Sequence, residues 1–184
     1  MDKIIIVING KARVGKDTLC DFVIKNYYAD KISSITPIIN IARDNGWDGV
    51  KDKKSRRFLS ELKRVFIDYN DLPNKYLLEE CSDFFESNND ILFVQIREKD
   101  QINEFINCIR DKCVCCTLVI NNNEEPGNVL IGNDSDDLAY DYPYDFRYFN
   151  QKKTINEAED DFMSFFRKLL VNKGVNPRKK KGQV

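Results

Sequence analysis

The chain of 184 residues contains no histidine. That excludes in one step a His-dependent triad, a histidine general base and a histidine metal ligand. Its chemistry must therefore use Lys, Arg, Asp, Glu, Ser, Thr, Tyr or Cys. Charge of one sign is lacking too: 29 Lys and Arg stand against 30 Asp and Glu, a formal net charge of -1. This argues against a protein that blankets nucleic acid with positive charge, and no specific nucleic-acid partner is expected. No apolar run approaches membrane-spanning length, and the apolar opening is too short and too strand-like for a signal peptide. The expectation is a cytoplasmic protein, monomeric or homodimeric, with no membrane partner. Six cysteines are present, expected to be reduced in that compartment. Three of them, Cys113, Cys115 and Cys116, sit in a strand-like apolar run. Neighbouring strand residues point to opposite faces, which favours core thiols over a zinc site.

A hydrophobic content of 42% suffices for one good core in one domain. The most informative stretch comes first. Ile4 to Ile8 is a β-branched apolar run of the kind buried on both faces of a parallel sheet. It stops at Gly10, and Gly10 to Gly15-Lys16 has the spacing G-x-x-x-x-G-K. In such a loop successive backbone N–H groups wrap a polyphosphate, and the lysine ammonium reaches the terminal oxygens. The helix expected to begin near Gly15 adds its positive end. Gly10, Lys11, Ala12, Arg13, Val14, Gly15, Lys16, Asp17 and Thr18 are therefore the expected ATP-binding residues. Asp17 follows the lysine where the usual pattern has Ser or Thr. An accompanying Mg²⁺ would then be held through water, through Thr18 or Asp17, or by a carboxylate further along.

The rest of the chain alternates strands and helices. A helix is expected from Asp17 to about Tyr28, a strand over 31–35, and a helix from Pro37 to Arg43. Residues 47–59 follow, packing the only tryptophan and five cations into thirteen positions before a helix that reaches about Tyr69. Those cations suit either a solvated charged face or, beside Trp47, a site for a base and a phosphate, since arginine both stacks and donates bidentately. A helix over 74–87 leads into a buried strand, Asp90 to Glu98. Ligands of open α/β sheets bind at the carboxyl ends of strands, which places Arg97 and Glu98 beside the loop. There Arg97 would clamp a transferring phosphoryl group, and Glu98 would orient the metal's water shell or the acceptor. A helix over 100–110 and a strand over 114–120 come next. The polar segment 121–145 contains no lysine or arginine. A strand over 145–149 and a helix opened by the capping box Thr154 to Glu157 end the pattern. The alternation implies a three-layer α/β/α domain of P-loop NTPase type, with a mainly parallel five-stranded sheet. It would span 1–175, with residues 36–88 inserted on the acceptor side, a lid-like loop at 121–144, and a basic disordered tail at 176–184.

The loop Gly10 to Thr18, together with Gly46-Trp47-Asp48-Gly49-Val50-Lys51-Asp52 and Arg56-Arg57-Phe58-Leu59, resembles the bacteriophage and bacterial deoxynucleoside monophosphate kinase family. The resemblance implies ATP-dependent phosphoryl transfer to a nucleoside or deoxynucleoside monophosphate. Trp47, Lys51, Arg56, Arg57 and Arg97 would then line the acceptor site, and Lys16, Arg97 and Arg13 would act on the transferring group. The family's lid carries arginines, and this chain's lid has none. Arg13 and Arg147 are the possible substitutes. The missing lid cations keep a nucleotide-binding sensor open as a second reading, and a P-loop kinase of another small acceptor as a third.

Overall fold

A computed structural model of the chain describes residues 3–50, 52–122, 140–151 and 154–180. Strand β1 (Ile4–Asn9) is buried at all six positions. It is followed by α1 (Lys16–Asn26), β2 (Ala29–Ser33), α2 (Thr36–Asp44), α3 (Lys53–Asn70), α4 (Leu72–Glu86) and β3 (Ile91–Gln95). Then come α5 (Lys99–Ile109), β4 (Val114–Asn121), β5 (Phe146–Phe149) and α6 (Ile155–Asn172). The five strands form one all-parallel sheet in the order β2-β3-β1-β4-β5. The most apolar strand thus takes the central place, with Ile4 opposite both Ile91 and Val114, and Ile8 opposite both Gln95 and Leu118.

Alternation along β1 divides the interior into two layers. Ile4, Ile6 and Ile8 face α1 and α6, where Leu19, Phe22, Phe162 and Phe166 cover them. Ile5 and Val7 face α4 and α5, packing with Leu77, Phe84, Ile102 and Phe105. A smaller cluster of Ile38, Ala42 and Leu59 joins α2 to α3, with Trp47, Leu62 and Phe66 packed against it. The architecture is the expected three-layer α/β/α arrangement, and the sheet is wholly parallel. No described helix is long and apolar enough to cross a membrane.

Three details differ from the sequence reading. Strand β2 starts two residues early and stops at Ser33, because its register is set by pairing Ala29 with Ile91 and Ser33 with Gln95. Ile35 is then free to act as the N-cap of α2, with Pro37 in its first turn. Strand β3 leaves the ladder after Gln95, so Ile96 to Glu98 form a connector that reaches outward. The tail expected to be disordered from residue 176 is docked through residue 180. Arg178 donates to Asp90, and Lys179 forms an antiparallel bridge with Tyr27. Of the strand cysteines, Cys116 is buried, whereas Cys113 and Cys115 are half-buried, and all six thiols are free. Burial pushes the Cys115 and Cys116 thiols up to about 12, which fits inert packing groups.

Candidate active site

The loop after β1 is shaped by three backbone conformations that L-residues avoid. Gly10 has φ +142°, Arg13 φ 65° and Gly15 φ 89°. At Gly10 the requirement is steric as well: a Cβ there would lie 2.4 Å from the Ile120 carbonyl oxygen on β4. The glycine thus lets the loop fold back against the end of the neighbouring strand. Gly15 is the N-cap of α1 and no side chain caps that helix end, so its first-turn N–H groups face the loop. Lys16 turns back over the same loop, its Nζ donating to the carbonyl oxygens of Gly10 and, at 2.9 Å, Lys11.

Two asparagines that the sequence reading passed over fix this loop to the sheet. Asn9 is buried; its Oδ1 accepts from the Gly10 N–H at 2.7 Å. Its Nδ2 donates to the Arg97 carbonyl at 3.2 Å and to the Tyr144 hydroxyl at 2.6 Å. Burial pushes the Tyr144 phenol well above its ordinary value, so at neutral pH it remains a neutral acceptor. From the other side, Asn150 just after β5 donates from Nδ2 to the Val14 carbonyl at 2.9 Å and from its N–H to Asn121 at 2.7 Å. Asn9 had one legible signal, a polar residue closing an otherwise apolar strand. Asn150 had none, because its partner is 136 positions away.

The expected metal and phosphoryl-handling residues lie around this loop with distinct partners. Asp17 and Thr18 are exposed in the first turn of α1, and Asp17 Oδ1 accepts from Gln95 Nε2 at 2.7 Å. Arg97 and Glu98 follow β3, as its carboxyl end requires. Glu98 is held by a residue that sequence reasoning missed: Lys63 Nζ lies 2.5 Å from its Oε2 and donates to Ser34 Oγ at 2.8 Å. The Lys63 side chain is only 5% exposed. Burial pulls its ammonium below the ordinary lysine range, offset in part by Glu98, while Arg97 pulls it lower still. Burial by itself would raise Glu98, but the Lys63 charge and hydrogen bond hold that carboxyl below its usual range. Lys63 follows Leu59 by one turn on the inner face of α3, a core position that a lysine rarely takes.

Among the residues expected to line an acceptor site, the structure separates the adjacent arginines. Arg56 is half-buried, whereas Arg57 points outward and pairs with Glu61 at 2.8 Å, its side chain 78% exposed. Trp47 packs into the α2–α3 cluster, and its Nε1 is buried with no hydrogen-bond partner among the described residues. Lys51 lies outside the described residues, as do 123–139 of the lid-like loop. Arg13 is exposed on the loop, and Lys11 Nζ lies 5.4 Å from the Tyr140 ring centroid. Among the described residues no group of three or more Asp, Glu or Cys could hold a metal ion. A cavity of about 540 Å³ opens at the far end of β4, lined by Ile106, Arg110, Cys113, Cys115 and Asp145 among others, and shares no residue with the loop.

This arrangement defines an α/β protein with a glycine-bounded loop at the carboxyl end of its central strand. No protein-family model matches the chain, and no curated protein matches it. Among solved structures it is similar to the tunicamycin resistance protein of Deinococcus radiodurans, with TM-score 0.48 and 13% identity, over 89% of this chain and 95% of that one. A likeness that distant assigns no residue a role, so the site rests on the geometry above.

Proposed function

We propose that the chain transfers a phosphoryl group from ATP to a nucleoside or deoxynucleoside monophosphate. The observation that carries this reading is the loop from Gly10 to Lys16. Two positive-φ glycines bound it, one against a backbone oxygen of β4, and it opens into an uncapped helix N-terminus. Such a loop offers an anion converging N–H groups in a fixed frame, which is the requirement for gripping a polyphosphate. In this reading Gly10 to Thr18 hold the ATP phosphates. Lys16 exchanges its hold on the Gly10 and Lys11 carbonyls for phosphate oxygens. Arg97 and Arg13 neutralise charge on the transferring group. Trp47, Lys51, Arg56 and Arg57 receive the acceptor, with Arg56 the better placed of the two arginines because it is half-buried.

Catalysis of this kind rests on positioning and charge neutralisation, and needs neither a histidine nor a covalent nucleophile. Mg²⁺, when bound with the nucleotide, supplies further neutralisation of the phosphates. The exposed carboxylate and hydroxyl of Asp17 and Thr18 suit contact with such an ion directly or through water. Glu98 acts within a pair already formed with Lys63, which makes it an orienting group more than a metal ligand. The specific observation favouring a nucleotide-binding sensor is the absence of lysine and arginine from 121–145.

The decisive test incubates the protein with ATP, Mg²⁺ and a panel of ribo- and deoxyribonucleoside monophosphates, following diphosphate products by chromatography. Formation of one diphosphate, lost in Lys16→Ala, establishes the transfer and names its acceptor. Binding of ATP in calorimetry without any product establishes the sensor. Lys16→Ala should abolish tight ATP binding with little loss of folding, and unchanged affinity in that variant would overturn the assignment of the loop.

A further inference from the structure

Helix α3 presents an apolar stripe to solvent, on the side of the helix away from Lys63. Phe58, Val65 and Tyr69 are 44%, 56% and 80% exposed, and Leu62 between them is half-buried. Their spacings of four, three and four are those of a seam between two packed helices. One flank of the stripe, a quarter-turn round the helix from it, carries Arg57, Glu61, Arg64 and Asp68 at the same spacings, all exposed. Large exposed apolar groups in a row are rare on a monomer and mark a contact surface.

We propose that α3 is a homodimer interface, in which two copies pack antiparallel along this stripe. The charge order selects both the partner and the direction. With the two-fold axis passing between Leu62 and Val65, Phe58 faces the partner's Tyr69, and Leu62 faces the partner's Val65. On the flank, Arg57 then meets the partner's Asp68 and Glu61 meets the partner's Arg64, and the symmetry repeats both pairs. All four contacts join opposite charges. A parallel pair would set this flank against the side of α3 that faces its own core, where Leu59 and Phe66 pack and Lys63 is already paired with Glu98. Self-complementarity of this kind is what a two-fold contact demands, because one patch must serve as its own partner. The Arg57–Glu61 pair already formed within the helix holds both side chains on this flank. The contact leaves Lys63 on the opposite side of α3 but shares Arg57 with the proposed acceptor residues, so its test reads mass and not activity, and its failure is distinct from a failure of the phosphoryl-transfer reading.

Equilibrium sedimentation of the whole chain, in a concentration series reaching millimolar protein, tests this. A helix of 18 residues offers a contact only about 27 Å long, which places the association in the weak class. The expected result is a mass rising with concentration toward twice the 21.5 kDa of one chain. Asp68→Arg should remain monomeric across the series, because it sets arginine against arginine twice per dimer. The charge swap Arg57→Asp with Asp68→Arg should restore the dimer. Tyr69→Lys, which removes apolar contact without touching that pair, should also be monomeric, with circular dichroism confirming that each variant is folded. A wild-type chain that stays monomeric at millimolar concentration overturns the proposal. A dimer that persists in Asp68→Arg, or that the swap fails to restore, overturns it equally.

Discussion

Adding one methyl group to Gly10 places a carbon 2.4 Å from the Ile120 carbonyl oxygen, and that oxygen belongs to a strand locked beside β1 by the register of Val119 with Asn9. The obstacle is backbone, so it cannot step aside as a side chain would. Gly10→Ala should therefore cost about 3 kcal/mol in urea unfolding, combining φ strain with the overlap, and should lose nucleotide binding with it. Gly46→Ala is the control: its φ is also positive, at 91°, yet nothing lies within 4 Å of the added carbon. That variant should lose about 1 kcal/mol from backbone strain alone. Gly15→Ala falls between the two, because its added carbon meets the amide end of Asn150, which can turn at the loss of its bond to Val14. Equal stability losses at Gly10 and Gly46 would mean that the close approach to β4 does not constrain the loop.

At the scale of elements, the joint that matters is the one between α3 and the connector after β3. Lys63 and Glu98 pair across it, with Ser34 just after β2 as a third member. Removing one partner leaves a charge in a poorly solvated place, so Lys63→Met should cost about 3 kcal/mol. Lys63→Met combined with Glu98→Gln should recover much of that loss. The check is a double-mutant cycle in urea. Additive single costs would show that the two side chains do not form the joint. The same joint marks how far the sequence could be read. β1, the loop and the order of helices and strands were legible because burial on both faces forces continuous apolar runs and the motif has fixed spacing. The helices α3, α5 and α6 were legible from their periodicity. Lys63 was not, because a lysine in line with Leu59 reads as solvent-facing until the carboxylate that neutralises it is known. Arg56 and Arg57 read as equals, whereas helical geometry turns them about 100° apart and sends Arg57 to Glu61. The boundaries of β2 failed for a third reason: its own residues prefer no register, and β3 imposes one.

At the scale of the whole molecule, the chain closes on itself at the pole opposite the loop. Past α6, the arm ending in Arg178 to Lys180 crosses the amino ends of β2 and β3. The Arg178 guanidinium bonds both oxygens of Asp90, at 2.8 and 2.9 Å, and lies 4.9 Å from the Tyr28 ring centroid. Lys180 N–H donates to the Asn26 carbonyl at 2.9 Å. The arm's local sequence, charged and apolar-free from Arg178 to Lys180, reads as a disordered basic tail. What orders it is Asp90, whose side chain is only 4% exposed and waits 88 residues earlier. The Arg178 hydrogen bonds hold the Asp90 carboxyl below its ordinary 3.8, with Lys3 adding to the effect. A carboxyl depressed on folding binds fewer protons in the native state than in the unfolded chain. Its contribution is therefore fully present above about pH 4 and is lost as pH falls through the lower native value. Arg178→Ala should accordingly melt below wild type at neutral pH, and the gap should narrow steadily as the solution is taken below pH 4. Neutral salt should narrow it less, because the pair is partly shielded from solvent. A gap that stays constant through the acid range would assign the arm's contribution to the packing of Val175 and Pro177, with the Asp90 pair carrying none of it.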